Sequence, residues 1–326
     1  MKTNELKQIS AVARLFKENK NIPILNTILL DNGNICFTNL EIFIIWENFI
    51  DRKLCGCIEK KPFLSALESI DNYSADQNGK TLLIFNDKKT FSCPLLNKDE
   101  FPEIPSDEFE KIGTFTDNDI TKILTASKFV SLEEMRPVMQ HIYVKNHIVG
   151  TNGHILYFKE SDIKSESELL INPKTIKLMK IFDMPFEVEK GKKFLLLKNK
   201  DIKIIQRFPE ANFPQWEDVM PDKLENKFTL PVNFKKELPT FSKFSGQPRR
   251  IIFKSTGEIC TKNIDEGTTY VFNTEDKPET WEDAGFNLDY LTLILSFIEG
   301  QITIQQHEPL NAHLINGCFL LMPVRL

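Results

Sequence analysis

Apolar and polar positions along this chain alternate between two rhythms. Helical spacing marks "ELKQISAVARLFKEN" (5–19), "DNDITKILTASKFVS" (117–131) and "NFKKELPTFSKF" (233–244), which read as amphipathic helices. Pro239 lies inside the third, so that helix is expected to be short or to start late. The same spacing returns in "KKPFLSALESID" (60–71), "NPKTIKLMKIFD" (172–183) and "FNLDYLTLILSFIEG" (286–300). Between these windows the pattern is that of strands. "PILNTILLDNGNICFTNLEIFI" (23–44), "RPVMQHIYVKNHIVGTNGHILYF" (136–158) and "PRRIIFKSTGEICTKNIDEGTTYVF" (248–272) each read as a proline-containing entry, a strand, a polar turn and a second strand. A Thr-Asn or Thr-Lys-Asn step then leads to a third strand. After the later helices come hairpin-like stretches: "KTLLIFNDKKTFSCPLL", "KKFLLLKNKDIKIIQRF" and "GQITIQQHEPLNAHLINGCFLLMPV".

The order helix, strands, helix, strands therefore occurs three times, the mark of an internal repeat. Thr38, Thr151 and Thr261 stand 113 and 110 residues apart. Phe101 in "DEFPEIP" and Phe213 in "ANFPQWEDVMP" stand 112 apart, closing the first two copies. The expected fold class is α+β, with domains at 1–111, 112–225 and 226–326.

Composition adds mostly exclusions. A chain of 326 residues, 41% hydrophobic and 27% charged, suits a globular protein of two or three domains. No apolar run approaches the roughly 20 residues that span a bilayer. The start lacks the features of a signal peptide, so a cytoplasmic location is expected. Cys36, Cys55, Cys57, Cys93, Cys260 and Cys318 are dispersed, and Cys55-Gly-Cys57 has no second pair at zinc-ligand distance. They read as reduced thiols, and no metal or cofactor is expected. No nucleophile motif or phosphate-cradling glycine loop is present, which argues against an enzyme; His154 in "TNGH" is the one residue that could tempt such a reading.

Charge changes the picture more. The net charge is −5, yet windows 4–20, 173–182 and 232–243 carry +2, +3 and +2. Lys174, Lys177 and Lys180 share one helix face, and Lys7, Arg14 and Lys17 do nearly the same. A basic helical face can be merely solvated, or it can attract a phosphate backbone without reading bases.

Threefold repetition, "GTNGHILYF" in the second copy and the terminal "LLMPVRL" together resemble the bacterial DNA polymerase III β subunit, the sliding-clamp family. "PILNTILL", "FTNLEIFI", "FSCPLLNKDEFPEIP", "FPEANFPQWEDVMP" and "FNLDYLTLILSFIEG" extend the resemblance along the whole chain. It implies three tandem clamp domains, each with two helices packed on antiparallel sheets. It also implies a head-to-tail homodimeric ring around double-stranded DNA, with helices lining the hole. The implied function is a non-catalytic processivity factor in DNA replication that tethers polymerase, clamp loader and other peptide-bearing partners. By the same resemblance a hydrophobic peptide groove would use Met139, Thr151, Gly153, His154, Leu156, Pro221, Leu320, Met322, Val324 and Arg325. DNA-facing residues would be Lys7, Arg14, Lys17, Lys20, Lys122, Lys174, Lys177, Lys180, Lys235 and Lys236. Ring closure would join the strand around Phe91 to the region around Phe241 and Phe244. Ile155, Pro137, Val138 and Asn19 depart from the family's usual residues. A monomeric adaptor of the same fold, binding peptides without encircling DNA, is the alternative.

Overall fold

The computed structural model describes residues 3–163, 165–182, 185–274, 278 and 280–326. All six expected helices form: α1 (Thr3–Leu15), α2 (Lys60–Ser69), α3 (Asp117–Ala126), α4 (Pro173–Met179), α5 (Leu238–Phe244) and α6 (Leu288–Ser296). Asp183, the end of the fourth window, lies outside the described residues. Side-chain caps set two of the starts. Asn172 Oδ1 accepts from the Lys174 N–H at 2.9 Å, and Asn287 Oδ1 accepts from Asp289 and Tyr290 at 2.9 and 3.0 Å. Pro239 falls in the first turn of α5, where its missing N–H costs nothing, and a 3-10 turn over Phe234–Glu237 precedes it.

The chain divides into two compact units. The first comprises Met1–Thr121, Val144–Asn146 and Ser161–Glu210; the second comprises Lys122–Tyr143, His147–Glu160 and Ala211–Leu326.

In the first unit an eight-stranded antiparallel sheet runs in the order 56–59, 27–31, 34–38, 42–46, 202–207, 194–199, 186–190, 110–115. It starts with a tight hairpin at Asn32-Gly33, whose φ values of +49° and +88° suit the right-handed twist of the flanking strands. Alternation sends Leu29, Cys36, Phe43, Ile45, Leu196 and Ile205 to one face, where they bury Phe101. Phe37 and Trp46 point to the other face and meet Phe16, just beyond α1, and Phe182, beyond α4. Helix α1 packs on both α2 and α4, and the Gln8 amide donates to the Ile181 carbonyl at 2.9 Å. The Lys60 ammonium is buried under α1, donating to the Phe16 and Leu25 carbonyls at 3.0 Å each, and burial lowers its pKa. A separate three-stranded sheet holds 74–78, 81–85 and 90–94.

The second unit repeats the plan. Its main sheet carries 147–151, 155–160, 319–321, 313–315, 302–306 and 226–230 in that order. A second sheet runs 268–273, 258–263, 250–253, 284–287, 323–324. Gly150 permits the close packing of α3 on the sheet, since a Cβ there would sit 2.2 Å from the Ala126 carbonyl oxygen. The apolar tail is half docked: Val324 pairs with Gly285 and Pro323 with Phe286.

Each main sheet thus joins early strands of one sequence repeat to late strands of the next. The seam is Ile44 opposite Ile204 in the first unit and Leu156 opposite Leu320 in the second.

His313 is fully buried between Trp281 and Phe286, at ring distances of 5.5 and 4.8 Å. Its Nδ1 lies 2.8 Å from the Asn311 carbonyl, while Nε2 has no partner. Burial pushes its pKa down from 6.5 to about 4. The unfolded chain therefore takes up a proton that the folded chain refuses. This contribution to stability is full above the unfolded value and falls away as the pH drops from there toward the folded value, by about 3 kcal/mol. His313→Gln is expected to flatten that part of the pH dependence, as read from urea midpoints on either side of the window.

Candidate functional site

Seven of the expected groove residues converge on one cavity in the second unit, of about 150 Å³: Met139, Thr151, Gly153, His154, Leu156, Leu320 and Met322. The chain segment Thr151–Asn152–Gly153–His154–Ile155 builds one edge through its own side chains. The Thr151 hydroxyl donates to the Ile155 carbonyl at 2.8 Å and accepts from the Gly153 N–H at 3.1 Å. Asn152 Oδ1 accepts from the His154 and Ile155 N–H groups at 2.9 and 3.0 Å. This turn needs a left-handed residue at its apex, and Gly153 supplies it at φ +88°. A side chain there would also come within 2.9 Å of Arg136 Nη1.

From that turn the strand Ile155–Glu160 leads out beside Phe319–Leu321, putting Leu156 and Leu320 side by side as a floor. The Met322 N–H donates to the His154 carbonyl at 2.9 Å, which lays Met322 along the turn. A 3-10 turn over Pro137–Gln140 delivers Met139. His154 is exposed at the lip, its ring stacked on Tyr290 at 5.7 Å.

The other wall is one the sequence reading passed over. Pro214, Gln215, Trp216 and Val219 line the cavity, together with Ile155. They belong to "ANFPQWEDVMP", from which the resemblance assigned only Pro221 to the groove. A 3-10 turn over Trp216–Val219 brings Trp216 against His147 and Phe158, at 5.3 and 5.6 Å between rings, and sets the exposed Val219 at the cavity rim. Pro221, the residue expected from this segment, falls beyond the turn and does not line the cavity. Val324 and Arg325 are also absent from the lining. Val324 is engaged opposite Gly285, and the Arg325 carbonyl accepts from Arg250 Nη1 at 3.2 Å. The lining is apolar on balance, and burying one Leu or Phe side chain in such a place contributes about 1.5–3 kcal/mol. Its methionines suit varied ligands.

The basic residues gather mainly in the first unit. Lys7, Arg14, Lys17 and Lys20, on and just after α1, are exposed, as are Lys174, Lys177 and Lys180 on and beside α4. Lys17, Lys20 and Lys174 line one cleft with Asn19 and Asn39. In the second unit Lys236 is exposed, whereas Lys122 donates to the Glu160 carbonyl at 2.9 Å and Lys235 to that of Ile298.

No protein-family model matches the chain. The curated β sliding clamps of two Helicobacter pylori strains are each 22% identical to it, over 295 and 301 residues. The alignments cover 81 and 83% of this chain and 77 and 79% of those proteins. Among solved structures, the Caulobacter crescentus β sliding clamp is 20% identical and superposes with a TM-score of 0.86 over 99% of this chain and 97% of that one. This chain has the sliding-clamp fold. A Pseudomonas aeruginosa DNA polymerase sliding clamp and the Thermotoga maritima DNA polymerase III β subunit agree, with TM-scores of 0.84 and 0.81 at 15 and 20% identity. Each again covers 99% of this chain, and 98 and 97% of its own.

Within this clamp fold the three phenylalanines expected at a subunit contact differ in placement. Phe91, on strand Thr90–Pro94, and Phe244 are half-buried, the latter stacked on Tyr270 at 5.7 Å. Phe241 is fully buried against Phe234 and Tyr270, at 5.8 and 4.9 Å, and has no surface to offer a partner. It lies on the apolar face that α5 turns to its own sheets. The expectation for Phe241 is corrected accordingly.

Proposed function

We propose that this protein is a DNA sliding clamp: a head-to-tail homodimer whose three repeats per chain (1–111, 112–225 and 226–326) close into a ring on duplex DNA. The α1 and α4 lysines and arginine would meet the phosphates, and the Met139–Met322 groove would hold peptide segments of the replicative polymerase and clamp loader. No catalytic step belongs to this reading, and the setting is the cytoplasm, at the nucleoid.

The observation that carries it is a seam used twice and left open once. Cross-strand partners of the repeat threonines put Phe43, Leu156 and Tyr270 in equivalent places. Phe43 is joined to Ile205 and Leu156 to Leu320 within the chain. Among the described residues, strand Thr268–Asn273 is an unpaired edge of its sheet, and so is Thr90–Pro94, the equivalent of the 202–207 strand by the 112-residue offset. A second copy supplies the missing partner for each, a heterologous contact that closes. Copying the internal register opposes Tyr270 to Cys93 of the partner subunit and Val271 to the partner's Ser92. Ser92 is exposed and Val271 is 42% exposed, as a vacant seam requires.

A Ser92→Cys, Val271→Cys variant tests this. Mild oxidation should give a covalently closed dimer that traps circular DNA and resists denaturing electrophoresis. The six native thiols are free and all but Cys55 are buried, which limits other pairings. A chain that stays monomeric throughout, by electrophoresis and by sedimentation across a dilution series, would instead favour the adaptor.

A further inference from the structure

We infer that the peptides this groove prefers carry a basic residue beside their apolar anchor. The inference rests on the groove reading above and narrows it to a partner chemistry. The turn that forms the groove's far wall is Trp216-Glu217-Asp218-Val219, and its first and last residues line the cavity. Glu217 and Asp218, between them, are exposed, and no ion pair holds either among the described residues. The basic residue nearest the opposite edge, Arg136, is already engaged with Glu133 at 3.3 Å. A segment seated in the cavity therefore has beside it a turn whose two carboxylates carry no ion pair, where a lysine or arginine would be favoured and an acidic residue repelled.

A second, independent feature of the same wall points to a ligand. Trp216 is only 6% exposed, and its indole N–H has no acceptor. A buried donor without an acceptor costs free energy, and a peptide carbonyl that reached this one would recover it. The preferred segment is thus apolar at its centre and basic on the side of Glu217 and Asp218, with the Trp216 N–H as a donor it can use.

Three labelled peptides with one Leu-Leu-Phe core, flanked by lysine, glutamine or glutamate, separate the possibilities by fluorescence anisotropy on the intact protein. The lysine-flanked peptide is expected to bind about fivefold tighter than the glutamine-flanked one, an advantage that fades at high salt. Glu217→Gln with Asp218→Asn should bring the ratio of lysine- to glutamine-flanked affinities to about one. Trp216→Phe keeps the ring, removes the donor and should weaken all three by about two- to tenfold. Equal or tighter binding of the glutamate-flanked peptide would overturn the inference and leave the groove standing. If none of the three bound, the groove reading itself would fall.

Discussion

Val271→Asp is expected to convert the proposed dimer to a folded monomer. In the isolated chain Val271 is 42% exposed on an edge strand, so the substitution should barely move the urea midpoint. In the proposed ring the same side chain lies inside a strand-to-strand seam opposite the partner's Ser92. An unpaired carboxylate buried in an interface costs about 2–5 kcal/mol, and a two-chain ring contains the seam twice. Dimer dissociation constants from sedimentation should rise by at least about a thousandfold. A variant that remained dimeric at every concentration would place the subunit contact elsewhere. Loss of the dimer together with a large fall in the urea midpoint would mean that Val271 serves the chain's own core.

The other large effect concerns DNA. Replacing Lys174, Lys177 and Lys180 together by glutamine should weaken retention on DNA and flatten its dependence on salt. If all three ammonium groups neutralise phosphates, the slope of log affinity against log salt should shrink by about 2.7. The exposed positions of the three, on and beside α4 and next to α1, make them the strongest set for this test. Lys122 and Lys235 are weaker choices because backbone carbonyls already hold their ammonium groups. An unchanged slope would mean that α4 does not face the duplex.

The sequence was most legible where structure is local. Alternation, turn residues and the recurring Thr-Asn step announced the strands and their order, because each depends on neighbours a few positions away. Thr38 and Thr151 show why: each hydroxyl donates to the carbonyl four residues on, Ile42 and Ile155, building the same turn twice. Pro239 likewise foretold a late, short helix. The pairing of Ile44 with Ile204 was not legible, since nothing in a local period says which distant strand will lie alongside. The groove followed the same division. The resemblance named Thr151, Gly153, His154, Leu156, Leu320 and Met322, which line one cavity, and also Val324 and Arg325, which do not. Trp216 and Val219 were missed because a short 3-10 turn, not a periodic element, sets them at the cavity. Phe241 was misplaced for a plainer reason: an aromatic on an amphipathic helix belongs to whichever face is buried, and residue type alone does not say which.

The split seams also bear on how such a chain could have arisen. By this construction a single repeat owns one unpaired edge of each kind and can satisfy neither by itself. An ancestral gene encoding one repeat would have made a subunit obliged to associate from the start, growing into a filament or closing into a ring of separate chains. Fusion of copies would then have replaced seams between molecules with Ile44–Ile204 and Leu156–Leu320 inside one molecule. Assembly, on this view, is older than the three-repeat chain.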